Sequence, residues 1–214
     1  MSRPLSEIVK QDLTIDPIIT AVTADSRKVG PGVLFAALPG VKVDGAQFIP
    51  AAIAAGAAAV LASPSVSELS VPLVTATDVR RAYALAASAF WGAQPAVCVA
   101  VTGTNGKTSV ATFCRQIFQH LGHKAASMGT LGVTVSDPAS GDVQLTPPGL
   151  TTPDAADVAE LMARAAEMGV THMALEASSH GIDQRRLDGV TLTAAAFLNL
   201  TQDHLVYHGD MASY

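Results

Sequence analysis

The segment Thr102-Gly-Thr-Asn-Gly-Lys-Thr108 contains the residue types that bind phosphate groups. Gly103 and Gly106 permit a tight turn, so successive backbone N–H groups can point toward phosphate oxygens. A helix that begins at the end of such a loop adds the partial positive charge of its N-terminus. Lys107 would contact the β- and γ-phosphates, and the hydroxyl of Thr108 would reach Mg²⁺. The segment therefore predicts the binding of a nucleoside triphosphate together with Mg²⁺.

The loop departs from the commonest phosphate-loop pattern at one position. In G-x-x-x-x-G-K-[ST] the first glycine would fall at Val101. The flanking residues still favour a phosphate loop, because 97–101 is an apolar run typical of a central parallel strand and 109–121 has helical periodicity. We expect this helix to end at Gly122. Its predicted buried face consists of Val110, Phe113, Cys114, Ile117 and Leu121.

Three further polar segments adjoin predicted elements of the second half. Glu176–Gly181 follows a strand predicted over 171–175, and Asn199–Gly209 follows a strand predicted over 194–198. A carboxylate at the end of such a strand is placed like the acidic Mg²⁺ ligand of phosphate-loop enzymes. In Leu150–Asp154, Thr152 is the predicted N-cap of a helix that runs to Met168.

The first 93 residues predict a small α/β domain. Strands are expected over 18–24, 33–38, 58–62 and 72–75, and helices over 48–56 and 77–91, with Thr77 capping the second helix. Gly92–Pro95 is the best linker candidate. We therefore predict domains at 1–93 and 94–214, the second a doubly wound sheet that binds ligands at the C-terminal ends of its strands.

Composition and charge exclude several classes of protein. The 214 residues include 13 Lys and Arg against 18 Asp and Glu, a net charge of −5, whereas a non-specific nucleic-acid binder carries a basic excess. Residues 94–214 hold the whole negative excess, so an anionic nucleotide there would need a cation. The longest apolar run, 51–62, is too short for a membrane span. Two cysteines, Cys98 and Cys114, cannot form a disulfide framework and fit a reduced cytosol.

The loop Thr102–Thr108 resembles the ATP loop of the Mur ligase family, the ATP-dependent amino-acid-adding enzymes of bacterial cell-wall synthesis, and folylpolyglutamate synthetases share that loop. Four other segments resemble the branch of the family that extends UDP-N-acetylmuramoyl-L-alanyl-D-glutamate. They are Ala24–Arg27 with Gly40–Gly45, Leu150–Asp154, Glu176–Gly181 and Asn199–Gly209. The resemblance implies a small N-terminal α/β substrate domain, which holds the uridine diphosphate, followed by a truncated phosphate-loop ATPase domain.

The resemblance also implies roles for individual residues. Those expected at ATP are Gly103, Thr104, Asn105, Gly106, Lys107, Thr108 and Ser109. Those expected at the UDP-muramoyl-peptide are Ser26, Val41, Lys42, Val43, Thr151, Thr152, Ser178, Gln184 and Arg186. The expected Mg²⁺ ligands are Thr108, Glu176 and His204, with Asp203 orienting the site. Lys107, Glu176 and His204 are the expected catalytic set.

The activity implied by the resemblance is a cytoplasmic, ATP-dependent ligation. A diamino acid, meso-diaminopimelate or L-lysine, would be added to UDP-N-acetylmuramoyl-L-alanyl-D-glutamate through an acyl phosphate. The family has a carbamylated lysine shortly beyond the position of Tyr214, so we expect an N-terminal part of such a ligase, without turnover alone.

Two alternatives remain open from the residues. One is a UDP-sugar-binding module without catalysis, whose uridine binding would survive Lys107→Ala. The other is a different phosphate-loop enzyme, such as a small kinase or a folylpolyglutamate synthetase. This second alternative gives no role to Asp25-Ser-Arg27 or to Ser178-Ser-His-Gly181.

Overall fold

The computed structural model describes residues 1–40 and 43–214, so the predicted substrate contacts Val41 and Lys42 lie outside the described residues. The chain divides into two compact units, Met1–Gly92 and Ala93–Tyr214. Within the described ranges, no helix is both long enough and apolar enough to cross a membrane.

In residues 1–40 and 43–92, the first unit contains a parallel sheet, a short antiparallel strand pair and three helices. The strands are β1 (Arg3–Pro4), β2 (Ile18–Ile19), β3 (Ala21–Thr23), β4 (Val33–Ala36), β5 (Ala59–Ala62) and β6 (Leu73–Thr75). The helices are α1 (Leu5–Val9), α2 (Ile49–Ala54) and α3 (Val79–Trp91), with 3₁₀ turns at Ser26–Lys28 and Gly45–Phe48. The parallel sheet has the order β3–β4–β5–β6, and its central strands β4 and β5 are buried throughout. The predicted elements are therefore confirmed with slightly shorter ends, except that the strand expected over 18–24 divides at Thr20.

The second unit is a six-stranded sheet with four helices. The strands are β7 (Val97–Thr102), β8 (Ala125–Gly129), β9 (Gly132–Asp137), β10 (Gly141–Thr146), β11 (His172–Glu176) and β12 (Ala194–Phe197). The helices are α4 (Lys107–His120), α5 (Ala155–Glu167), α6 (Ser179–Asp183) and α7 (Leu205–His208). The strand order is β10–β9–β8–β11–β7–β12, in which β8, β11, β7 and β12 are parallel. The predicted α/β class is confirmed. The antiparallel hairpin β9–β10 lies in a stretch for which no elements are predicted.

Helix α3 begins two residues after the predicted start. Its cap is Asp78, whose carboxylate accepts a hydrogen bond from the backbone N–H of Arg81 at 3.0 Å. The prediction of Thr77 as the cap is therefore wrong. A carboxylate at this position satisfies a free N–H group and also places negative charge at the positive end of the helix.

Helix α5 likewise begins later than predicted. Asp154 is its cap and accepts from the N–H of Ala156 at 3.1 Å, so the prediction of Thr152 as the cap is wrong. The helix ends at Glu167, with Gly169 just beyond it in a left-handed conformation, close to the predicted end. The hydroxyl of Thr152 forms its hydrogen bonds elsewhere, at the end of β11.

Helix α4 presents a different face to the sheet from the one predicted. The largest apolar residues of the predicted buried face are more than half exposed: Phe113, Ile117 and Leu121. The buried residues are Ala111 and Arg115. Together with Thr108 they are spaced i, i+3 and i+7, which places them on one side of a helix. Because Thr108 forms a hydrogen bond with Glu176 at the end of β11, that side faces the sheet.

We expect Asp78→Ala to lower the free energy of unfolding of the first unit by about 1 kcal/mol, because the N-terminus of α3 loses its capping acceptor. The matched control is Thr77→Ala, which removes an exposed hydroxyl next to the cap and should change stability by less than about 0.5 kcal/mol. Urea unfolding followed by far-ultraviolet circular dichroism measures both. A larger loss for Thr77→Ala than for Asp78→Ala would contradict the assignment.

Candidate active site

The loop between β7 and α4 requires glycine at two positions. Gly103 has a φ of +136° and Gly106 a φ of +87°, a region of backbone conformation that side chains rarely permit. Gly106 stands immediately before α4, so the first N–H groups of the helix lie at the end of the loop. The ammonium group of Lys107 donates to the carbonyl oxygens of Gly103 at 2.6 Å and Thr104 at 3.0 Å. The lysine therefore lies over the loop, where a phosphate would contact it.

Residues that follow β12 hold this loop in place. The side-chain amide of Asn199 accepts from the N–H of Asn105 at 2.9 Å and donates to the carbonyl of the same residue at 3.0 Å. Its backbone carbonyl accepts from the N–H of Thr104 at 3.0 Å. The Thr104 hydroxyl also lies 3.0 Å from the Tyr214 hydroxyl. Asn199 and Tyr214 are not among the predicted site residues, and only their contacts with the loop reveal a role.

A buried carboxylate lies beside the loop. Glu176, at the end of β11, is 4% exposed, and its Oε2 accepts from the hydroxyl of Thr108 at 2.8 Å. Its Oε1 accepts from the N–H of Thr130 at 2.9 Å, and Oε2 also accepts from the Thr130 hydroxyl at 3.3 Å. A Cβ atom at Gly129 would overlap this carboxylate, so the end of β8 must be glycine here. Sequence reasoning missed Gly129 and Thr130, although Gly129 ends a parallel strand of the same sheet and Thr130 directly follows it.

The pair Thr108 and Glu176 suits Mg²⁺. Adjacent oxygen ligands of octahedral Mg²⁺ lie roughly 3 Å apart, since each is about 2.1 Å from the metal, and these two oxygens are 2.8 Å apart. Mg²⁺ is commonly held by one or two protein oxygens plus phosphates rather than by a full protein cage. In keeping with this, no group of three His, Cys, Asp or Glu side chains in residues 1–40 and 43–214 could hold a metal ion alone.

His204 and the phosphate loop line the same cavity, which has a volume of about 310 Å³. Its lining includes Gly103, Lys107, His204, His208 and Tyr214. The backbone of His204 is left-handed, with a φ of +54°, and its N–H donates to the carboxylate of Asp203 at 2.8 Å. The structure thus brings two of the predicted catalytic residues, Lys107 and His204, to one cavity.

A second histidine packs against His204. The ring of His180 lies 4.9 Å from that of His204 and 4.0 Å from that of Tyr207, measured between centroids. Burial lowers the pKa of His180, and the neighbouring His204 and His208 lower it further. His180 is not among the predicted site residues, because its position against the other rings depends on the contact between α6 and α7.

Thr152 lies at the centre of the residues predicted to contact substrate. Its hydroxyl donates to the carbonyl of Glu176 at 2.9 Å and accepts from both the N–H and the hydroxyl of Ser178, each at 3.0 Å. A hydroxyl has one donor and two acceptor positions, so these contacts use all three. The residue is also only 2% exposed. The Thr152 hydroxyl therefore positions the end of β11 and the start of α6 and has no remaining capacity for a ligand.

The other predicted substrate residues of this unit surround Thr152. Arg186 donates to the carbonyl of Thr152 at 2.6 Å and to the side chain of Gln184 at 2.7 Å. Gln184 in turn donates to the Tyr207 hydroxyl at 3.1 Å. The hydroxyl of Thr151 lies 2.9 Å from that of Thr130. The structure therefore gathers Thr151, Thr152, Ser178, Gln184 and Arg186 at one end of the sheet.

The first unit contains Ser26 and the half-exposed Val43. Ser26 opens a 3₁₀ turn that is capped by Asp25, whose carboxylate accepts from the N–H of Arg27 at 3.0 Å. The guanidinium of Arg27 forms two further hydrogen bonds with the same carboxylate, at 2.9 and 2.7 Å. These contacts lower the pKa of Asp25 to about 2.

Comparisons with known proteins identify the family to which both units are similar. A family model described as the Mur ligase middle domain matches residues 101–214, and one described as the Mur ligase family catalytic domain matches residues 18–91. The UDP-N-acetylmuramoyl-L-alanyl-D-glutamate–2,6-diaminopimelate ligase of Caulobacter vibrioides is 68% identical over 215 residues, which cover 100% of this chain and 44% of that protein. The ligase of the same name from Bradyrhizobium diazoefficiens is 48% identical, over 98% of this chain and 43% of that protein.

Solved structures show the same relationship. A structure of a UDP-N-acetylmuramoyl-L-alanyl-D-glutamate–2,6-diaminopimelate ligase has a TM-score of 0.82 at 31% identity, covering 100% of this chain and 43% of that one. A MurF structure from Acinetobacter baumannii shares the fold at 19% identity, with a TM-score of 0.62 over 99% of this chain and 44% of that one. The chain thus spans less than half the length of these relatives.

We expect the carboxyl of Asp25 to titrate near pH 2, and to titrate closer to the ordinary value of about 3.9 in Arg27→Gln. Because folding lowers this pKa, the contact stabilises the unit above about pH 3.9, and that stabilisation is lost as the pH falls toward 2. Carbon-detected NMR titration of the carboxyl group measures the shift. Lys28→Gln is the control, since Lys28 is the weakest of the causes that lower this pKa. Equal effects of the two substitutions would contradict the role of the paired hydrogen bonds.

We expect Gly129→Ala to weaken Mg²⁺-dependent nucleotide binding at least about tenfold, because the new methyl group displaces the carboxylate of Glu176 from Thr108. Gly149→Ala is the control, since a Cβ there meets no atom within 4 Å and its N–H bond to the Thr130 carbonyl is kept. Calorimetry with ATP and Mg²⁺ measures both variants. Unchanged binding by Gly129→Ala would show that the position of this carboxylate does not matter.

Proposed function

The chain belongs to the Mur ligase family, and we propose that it binds ATP, Mg²⁺ and UDP-N-acetylmuramoyl-L-alanyl-D-glutamate for ligation to 2,6-diaminopimelate. The substrates come from the names of the relatives at 68% and 48% identity. Since those relatives are more than twice as long, we assign to this chain the binding of both nucleotides rather than complete turnover.

The observation that carries the proposal is the contact between Thr108 and Glu176. It joins the first turn of the helix after the phosphate loop to a carboxylate at the end of the neighbouring strand. A hydroxyl and a carboxylate in this relation to a phosphate loop are typical of sites for Mg²⁺ bound to a nucleoside triphosphate. Because the net charge of −5 resides in residues 94–214, a divalent cation would also offset repulsion between this unit and the nucleotide.

Each part of the site has a role in this proposal. The first N–H groups of α4 and the ammonium of Lys107 would bind the β- and γ-phosphates, while the N–H groups of Thr104 and Asn105 donate to Asn199 and hold the loop. Thr108 and Glu176 would hold one Mg²⁺, and His204, whose ring nitrogen lies 3.5 Å from the Asp203 carboxylate, would contribute to a second. The ions would supply positive charge to the transferred phosphoryl group. The residues of the chain would bind and orient the two substrates around that group.

The reaction forms one amide bond and cleaves one phosphoanhydride bond. A carboxylate oxygen of the muramoyl-dipeptide attacks the γ-phosphorus of ATP, and ADP leaves. The amino group of the diamino acid then attacks the resulting acyl phosphate, loses a proton and displaces inorganic phosphate. Lys107 stabilises the charge that develops on the transferred phosphoryl group.

We assign the uridine diphosphate of the UDP-muramoyl-peptide to the first domain, 1–93, where Ser26 and residues 41–43 would contact it. In the second, Thr151, Ser178, Gln184 and Arg186 would face the peptide, while the hydroxyl of Thr152 holds the backbone beneath them. Arg186 is held by two hydrogen bonds, so its guanidinium is oriented before a carboxylate binds. We place this activity in the cytoplasm.

Calorimetric titration with UDP-N-acetylmuramoyl-L-alanyl-D-glutamate, with UDP-N-acetylglucosamine as the comparison ligand, tests the substrate. We expect saturable binding of the first and much weaker binding of the second, because only the first carries the peptide. Equal binding of both would support a general UDP-sugar module instead. Absence of binding to either would contradict the proposed substrate.

Lys107→Ala tests whether the two nucleotides bind at separate places. We expect it to weaken binding of ATP with Mg²⁺ at least about tenfold, through loss of a charged hydrogen-bond donor, and to leave binding of the UDP-muramoyl-peptide unchanged. Lys124→Ala is the control, because Lys124 pairs with Asp137 on β9 and should leave both affinities unchanged. Equal loss of both ligands in Lys107→Ala would contradict separate sites.

A further inference from the structure

The side chain of Thr130 stands between the carboxylate of Glu176 and the hydroxyl of Thr151. Its Oγ1 lies 3.3 Å from Glu176 Oε2 and 2.9 Å from Thr151 Oγ1, and its N–H donates to Glu176 Oε1 at 2.9 Å. Thr130 therefore contacts both oxygens of the carboxylate. Thr130 is the first residue after β8, and β8 lies next to β11, the strand that ends at Glu176.

The directions of these hydrogen bonds follow from the chemistry of the groups. An ionised carboxylate only accepts, so the single hydroxyl proton of Thr130 points to Glu176. The oxygen of Thr130 must then accept the proton of Thr151. The result is a chain of two hydrogen bonds that runs from Thr151 through Thr130 to Glu176, and each bond strengthens the next.

We propose that Thr130 is a positioning residue, whose hydroxyl orients the carboxylate of Glu176 for Mg²⁺ and links it to Thr151. The proposal rests on the proposed function, in which Glu176 holds Mg²⁺ and Thr151 faces the muramoyl-peptide. With Oε1 held by the N–H and Oε2 by the hydroxyl of Thr130, the carboxylate cannot rotate away from Thr108 without losing hydrogen bonds. Partners that orient a metal ligand commonly raise metal affinity 10- to 100-fold.

The position of Thr130 allows this hydroxyl to be removed cleanly. The residue is exposed, so Thr130→Val replaces a surface hydroxyl by a methyl group of similar size and keeps the backbone N–H. Thr130→Ser keeps the hydroxyl and loses the methyl group. Thr134→Val is the matched control, because the hydroxyl of Thr134 donates to Gln144 within the hairpin at 3.1 Å.

The test measures binding of Mn²⁺ in the presence of ADP, by electron paramagnetic resonance of free Mn²⁺, and binding of ADP alone in EDTA by calorimetry. We expect Thr130→Val to raise the dissociation constant of Mn²⁺ about tenfold and to leave the affinity for metal-free ADP unchanged. Thr130→Ser and Thr134→Val should remain within about twofold of the wild type for both. Thermal melting of each variant verifies that the fold is kept.

Three outcomes would overturn the proposal. One is a wild-type Mn²⁺ affinity in Thr130→Val, and another is a failure of Thr130→Ser to restore binding. The third is an equal loss of metal-free ADP binding in Thr130→Val, which would indicate damage to the phosphate loop. The proposed function fails in a different way, because wild-type protein would then bind neither ADP nor Mn²⁺. The two failures are therefore distinguished by the wild-type titration.

The link to Thr151 has its own readout. Thr151→Val removes the donor to Thr130, so we expect it to weaken Mn²⁺ binding by about two- to threefold. In the double variant with Thr130→Val, the second substitution should add nothing, because the chain is already broken. If the two substitutions raise the dissociation constant of Mn²⁺ by factors that multiply in the double variant, Thr151 does not act through Thr130.

Discussion

The buried carboxylate of Glu176 is the group on which the arrangement of the second unit depends. A carboxylate removed from water is costly unless hydrogen-bond donors replace its solvent, and here the donors come from two other elements, α4 and the end of β8. The contact with Thr108 sets the rotation of α4, so Ala111 and Arg115 face the sheet. The contact with Thr130 brings β8 so close that only glycine fits before it. One side chain thus determines where three elements meet.

Around this carboxylate, several side chains hold the backbone of the loops in addition to contacting one another. The amide of Asn199 pairs with both backbone groups of Asn105 in the phosphate loop. The hydroxyl of Thr152 holds the carbonyl of Glu176 and the N–H of Ser178. Buried or half-buried loops need such partners, because their own N–H and C=O groups are not satisfied by a ladder or a helix. The consequence is a set of loops whose geometry is settled before a ligand arrives, which reduces the entropy lost on binding.

These hydrogen bonds within the protein also limit which residues can bind a ligand. Thr151 and Thr152 are adjacent threonines with different roles. The hydroxyl of Thr152 uses its donor and both acceptor positions in hydrogen bonds within the protein, whereas the hydroxyl of Thr151 contacts that of Thr130. Lys107 makes contacts only with loop carbonyls that a phosphate could replace. His204 faces the same cavity as Lys107, with its backbone in a left-handed conformation fixed by Asp203. Function in this unit is therefore divided between residues that bind and residues that hold them.

Local patterns predict the α/β class, the phosphate loop between β7 and α4 and the polar segments after β11 and β12, because hydrophobic periodicity and glycine spacing involve neighbouring residues. They do not predict the buried face of α4. The apolar side chains of Phe113 and Ile117 favour one face, whereas the hydrogen bond from Thr108 to Glu176, 68 positions away, turns another toward the sheet. Local patterns also favour Thr152 as a helix cap, although Asp154 is the cap in the structure. The contacts of Thr130 and Asn199 form only where the ends of different strands meet. These features depend on the folded chain, because long-range hydrogen bonds leave no pattern in neighbouring residues.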